Sequence, residues 1–242
     1  MASVSSSWKS FSPSALSKAA GVLLVAALSG CGSTAVTTVR IINVSPGTGA
    51  IDSFVGDYQA ASNLPYGSAT SYVQVSSGGH TVTVSPTGQD STILTKQNID
   101  FYSLNNLTVF VVNPKASIAE LPFYDNNDQP DANDFKLRIV HTSPSAGVVD
   151  VYVTVPSTPI TNVPATLRNV AYQTASAYLQ FAAGSYEVRF TVAGTKTVLA
   201  DTAALTFAVG DINTVVIADA PAGGTPYQAY RYVDAMFSNN AN

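Results

Sequence analysis

The chain has 242 residues, 46% of them hydrophobic and only 11% charged, with fifteen acidic against eleven basic side chains. A sparse, acidic surface excludes nucleic-acid binding, which needs a concentrated basic patch. A single cysteine excludes a disulfide framework, so core and hydrogen bonds must hold the fold, and the length suits two domains of ordinary size.

Residues 1–30 read as a lipoprotein signal peptide. A polar stretch with Lys9 and Lys18 precedes the apolar run "AAGVLLVAALSG", and no acidic residue occurs before Asp52. The run is too short to span a bilayer, which takes about 20 apolar residues. Leu28-Ser29-Gly30-Cys31 resembles the bacterial lipobox, in which small residues admit the backbone to a peptidase and the thiol takes the lipid. The resemblance implies that Cys31 becomes the acylated first residue, which accounts for the lone cysteine and anchors the chain stably once two or more acyl chains are attached. Gly32 after the cysteine, where Asp would retain the protein, implies the outer membrane in a cell that has one. The expected mature part has nine basic residues against fifteen acidic, a net charge of about −6.

Residues 31–35 form a short lipidated linker, and from there one module is written twice. Copy 1 spans 36–125, an acidic linker 126–134, copy 2 135–235 and a tail 236–242. "RIINVSPGTGAIDSFV" (Arg40–Val55) and "RIVHTSPSAGVVDVYV" (Arg138–Val153) align at an offset of 98 residues. From Tyr66/Tyr172 to Val112/Ala218 the offset is 106, after an eight-residue insertion in copy 2. "HTVTV" and "YEVRF" alternate as half-buried strands do, while "LTVFVV" and "NTVVIA" are short buried runs. Gly, Pro, Asn and Ser cluster between them. The predicted fold is all-β: two tandem antiparallel β-sandwich domains, immunoglobulin-like in broad architecture, each expected to fold alone around its own core.

The repeated Arg-led strand into Ser-Pro, the following Asp, and the pair "VAYQTASAYLQFAAGSYEVRF" resemble the bacterial domain-of-unknown-function 4397 family over nearly all of the expected mature chain. Copy 1 keeps the family's Asn at Asn43 but has Ser53-Phe54 for Val-Tyr. Copy 2 keeps Val151-Tyr152 but has His141 for Asn. The resemblance implies an exported β-sandwich and no established activity.

Candidate sites are few. Ser45 and Ser143 lack the Gly-x-Ser-x-Gly elbow of a nucleophile, and Pro46 and Pro144 after them mark turns. Asp52 and Asp150 are expected to accept amide protons and tie that turn to the strand leaving it. His80 and His141 fall at non-equivalent positions, too few for a zinc site, and the acidic linker lacks the spacing of a calcium loop, so it reads as a solvated spacer. No metal, cofactor or catalytic residue is expected. Tyr66, Tyr72, Tyr172 and Tyr178 recur at equivalent positions and are candidates for a stacking surface. The preferred alternative buries their rings and ties their hydroxyls. The leading reading is a lipid-anchored envelope protein of binding or structural modules. Its partners would be the membrane, through Cys31, and an envelope protein or polysaccharide. The alternative is an envelope hydrolase in which Asp150, Glu187 or Asp201 converge in space.

Overall fold

The computed structural model describes residues 35–237. The expected signal peptide, with Leu28, Ser29 and Gly30, and Cys31 after it, lie outside the described residues. Copy 1 runs through β1 (Val36–Asn43), β2 (Ile51–Val55), β3 (Tyr58–Leu64), β4 (Ser68–Ala69), β5 (Val73–Ser76), β6 (Gly78–Pro86), β7 (Thr95–Phe101), β8 (Asn106–Val112) and β9 (Ala119–Asp125). Copy 2 runs through β10 (Asp134–His141), β11 (Val149–Thr154), β12 (Leu167–Val170), β13 (Leu179–Ala182), β14 (Gly184–Val192), β15 (Val198–Phe207), β16 (Asp211–Ala218) and β17 (Gln228–Met236).

Each copy is a sandwich of two sheets. In copy 1 one sheet is ordered β4-β1-β8-β9, with β5 also on β1, and faces the sheet β3-β2-β6-β7. In copy 2 the corresponding sheets are β13-β10-β16-β17 and β12-β11-β14-β15. The all-β sandwich expectation holds, with one difference. β1 pairs β8 in parallel, and β10 pairs β16 in parallel, so the first sheet of each copy is mixed. Between those two strands the chain crosses to the other sheet and back twice; the first return pairs antiparallel with the opening strand, and the second runs the same way as that strand.

The period-2 alternation of the central strands explains their unbroken hydrophobic character. Val39 and Ile41 of β1 and Leu107, Val109 and Val111 of β8 point into the core of copy 1. Leu137, Ile139, Val215 and Ile217 do the same in copy 2. The other face of these strands is also covered. Ile42, Val44, Phe110 and Val112 pack on Val140, Val216, Ala218 and Tyr232 in a third cluster that both copies share. The described strands therefore form four layers within one compact unit. Each copy has its own core, and separating the two would also bare an apolar face on each.

Candidate binding site at the junction of the two copies

Arg40 and Arg138 sit mid-strand on the shared face, each 2% exposed. Each finds its carboxylate on the other copy. Arg40 pairs with Asp234 of β17, and Arg138 Nη2 lies 2.6 Å from Asp125 Oδ1 at the end of β9. Each arginine also donates through Nε to a threonine of its own copy, Arg40 to Thr108 (2.8 Å) and Arg138 to Thr214 (3.1 Å). Each threonine donates to a carboxylate near the end of its own copy's last strand, Thr108 to Asp125 and Thr214 to Asp234. Tyr72 and Tyr178 lie under the guanidinium groups of Arg40 and Arg138, and their hydroxyls donate at 2.6 Å to Asp125 and Asp234. The network is reciprocal and closed. Burial is the largest single influence and works against charge on both arginines. Asp234, Tyr72 and Asp125 together outweigh it for Arg40, and Asp125, Tyr178 and Asp234 together for Arg138, so both guanidinium pKa values are raised. Burial also pushes the Tyr72 and Tyr178 hydroxyls up, so both stay protonated donors.

The four repeated tyrosines thus belong to the junction and do not form an open stacking surface. They lie in coil between strands, so a six-residue spacing does not place them on one strand face. Tyr66 of copy 1 donates to the Asp219 carbonyl of copy 2, and Tyr172 of copy 2 donates to Asn113 of copy 1. Tyr178 also lines a cleft.

The Ser-Pro turns are pinned from the preceding strand. In copy 1 Asn43 accepts from the Ser45 amide and donates to the Gly49 carbonyl at 3.0 Å. In copy 2 His141 takes both bonds: Nδ1 accepts from the Ser143 amide and Nε2 donates to Gly147 at 2.6 Å. A ring with one acceptor and one donor nitrogen is neutral, and burial lowers its pKa below 6.5. A histidine held neutral contributes stability that is complete above pH 6.5 and is lost as pH falls through its lowered pKa. His141→Asn, which restores the copy 1 arrangement, should remove that part of the acid sensitivity. Thermal midpoints of wild type and variant, compared at pH 7.5 and 5.5, test this; parallel losses would contradict it.

Asp52 and Asp150 do not tie the Ser-Pro turn as expected. Each clamps two residues of left-handed backbone, one in the neighbouring strand and one in a turn. Asp52 accepts from the amides of Asn63 (2.7 Å) and Gly88 (2.9 Å), and Asp150 from Asn169 (2.8 Å) and Gly194 (2.9 Å). Ser45 donates to the Asn113 carbonyl and Ser143 to the Asp219 carboxylate. Glu187 is paired with Arg189, and Asp201 accepts from the Ala203 amide. The three carboxylates of the hydrolase alternative are each engaged with a separate partner.

An open cleft of about 670 Å³ lies beside the Arg138–Asp125 pair, lined by Phe123, Tyr124, Tyr178, Lys136, Gln180 and the connecting segment. That volume is within the usual range for a ligand site. The segment 126–134, expected as a solvated spacer, forms one wall. Lys136 Nζ holds it through Asn126 Oδ1 (2.9 Å) and the Asp128 carbonyl (2.6 Å), and Gln180 is bonded both ways to Asp131. A second depression of about 350 Å³ lies across Tyr124 and Asn126, lined by Asn105, Asn106, Asn127 and Asp128. Tyr124, 42% exposed, stands between the two, and Tyr102, 60% exposed, lies against it with ring centroids 5.4 Å apart and planes 34° apart. Sequence reasoning missed this ring pair. The signal available was "FYSLNN", where an aromatic and a leucine fall in a turn with no strand to bury them.

The family model described as "Domain of unknown function (DUF4397)" matches residues 37–152 and 155–241. No curated protein matches the chain. Among solved structures it is similar to family 41 carbohydrate-binding modules from streptococcal virulence factors, described for alpha-glucan recognition. There identity is 12% over 80% of this chain and 96% of that one, with a TM-score of 0.26. A family 26 carbohydrate-binding module from Eubacterium rectale, in complex with maltoheptaose, has 9% identity over 84% and 98%, TM-score 0.26. A putative cell adhesion protein from Bacteroides fragilis has 9% identity over 84% and 99%, TM-score 0.24. TM-scores this low say nothing of ligand or role.

Proposed function

The chain belongs to the DUF4397 family, and on that premise we propose that it is a lipid-anchored cell-envelope protein whose sandwiches hold a ligand without transforming it. The observation that carries the reading is the cleft at the junction, whose wall is built and pinned by Lys136 and Gln180. Two packed sandwiches supply a rigid support for it, and rigid support is what a preformed binding site requires. The signal-like start and Cys31 supply the tether, and Gly32 favours the outer membrane where one exists.

Two measurements test this. Cys31→Ala should leave an unprocessed or released protein on cell fractionation. Persistence of the variant in membranes at wild-type level and size would defeat the anchor. The released Cys31→Ala protein should co-sediment with isolated envelope material, and Ala177→Trp, which fills the cleft, should abolish this. Co-sedimentation unaffected by the tryptophan would remove the cleft from the function.

A further inference from the structure

Tyr102 and Tyr124 are costly residues to leave in water, yet nothing among the described residues covers them. Their planes are 34° apart with centroids 5.4 Å apart, so the two tilted rings together form one apolar step. Tyr124 borders both depressions, which makes the step the ridge between two polar hollows. The chemistry of those hollows is one-sided. The cations that line the cleft are already spent within the protein, Arg138 on Asp125, Thr214 and the Tyr124 carbonyl, and Lys136 on Asn126 and the Asp128 carbonyl. What remains is uncharged amides and acceptors. Asn105, Asn106 and Asn127, whose Oδ1 has no hydrogen-bond partner, line the second hollow together with Asp128.

Uncharged amides and acceptors beside an aromatic step select a ligand that brings many hydroxyl groups, able both to donate and to accept, and an apolar C–H face. An anion is disfavoured because no free cation awaits it. A quaternary ammonium group is better served by rings that surround it than by an open step. We infer that the ridge and its two hollows bind an uncharged glycan, one pyranose ring stacking on Tyr124 and Tyr102 and the next sugars reaching into the hollows. This rests on the cleft being the ligand seat and names the class of ligand it takes.

The test uses the full chain, extracted in detergent, against an array of uncharged pyranose oligosaccharides, with spermine as a cationic probe. Wild type should bind a subset of the glycans. Tyr124→Ala and Tyr102→Ala should each weaken binding by at least about tenfold, the scale of a lost stacking contact. Tyr124→Phe keeps the ring and loses only the hydroxyl bond to the Asp100 carbonyl, so it should bind as wild type does. Tyr58→Ala, an exposed tyrosine elsewhere, should change nothing. Unaltered thermal midpoints separate lost stacking from lost folding. Glycan binding that survives both alanine variants would overturn the site. Binding of spermine in place of any glycan would overturn the sugar class while leaving the cleft a ligand seat. Binding of neither probe, with Ala177→Trp still sedimenting with envelope material, would overturn the cleft itself.

Discussion

Asp125→Ala should lower the midpoint of thermal unfolding by about 10 °C, the largest effect expected of any single substitution here. It removes one partner of a buried ion pair and strands Arg138, which typically costs about 3–5 kcal/mol; for a chain of this size each kcal/mol is worth about 2–4 °C. Tyr72 and Thr108 lose their acceptor in the same step. The loss should be felt across the junction, with amides of β10 and β16 in copy 2 exchanging faster although the change is in copy 1. A second substitution separates charge burial from packing. Asp125→Leu with Arg138→Met fills the space without charge and should recover part of the loss, because a well-packed apolar pair of similar volume often matches a buried ion pair. A single variant as stable as wild type, or a double variant no better than Asp125→Ala, would remove the ion pair from the stability of the fold.

Asp150→Ala should come next, at about 3 kcal/mol, since two backbone amides lose a charged acceptor and bonds to charged groups are worth about 1.5–3 kcal/mol each. The residues it holds, Asn169 and Gly194, are at φ 53° and 74°, so the clamp also fixes backbone that an unrestrained chain would leave. Because both copies share an apolar face, the expected result is one transition at lower temperature, with no separate early melting of copy 2. An unchanged midpoint together with lost ligand binding would make Asp150 a ligand group.

The duplication, the strands and the Ser-Pro turns were legible because they rest on local spacing: alternation, turn residues and a repeated motif. His141 in place of Asn43 looked like a departure from the pattern, and only its geometry shows one side chain doing the other's work. The junction was not legible. Arg40 and Asp234 are 194 residues apart, and Asp125 opens an acidic run that reads as solvated linker. A charged residue in the middle of a buried strand was the available clue, since it must find a partner. The four tyrosines attracted notice because they repeat, and repetition proved to mark the junction they build. The ring pair escaped notice for the converse reason. Copy 2 has Ala208 and Val233 where copy 1 has Tyr102 and Tyr124, so a search for equivalent residues passes over it.

The reciprocal junction has the local two-fold symmetry of a homodimer interface, drawn inside a single chain. Joining the halves turns their association into an intramolecular step, at an effective concentration on the order of mM for a short connection. The paired state then stays assembled however dilute the protein is. Covalent linkage also releases the halves from having identical sequence. A homodimer must carry every surface twice, whereas here one half holds an aromatic ridge and the other a plain alanine and valine at the equivalent places.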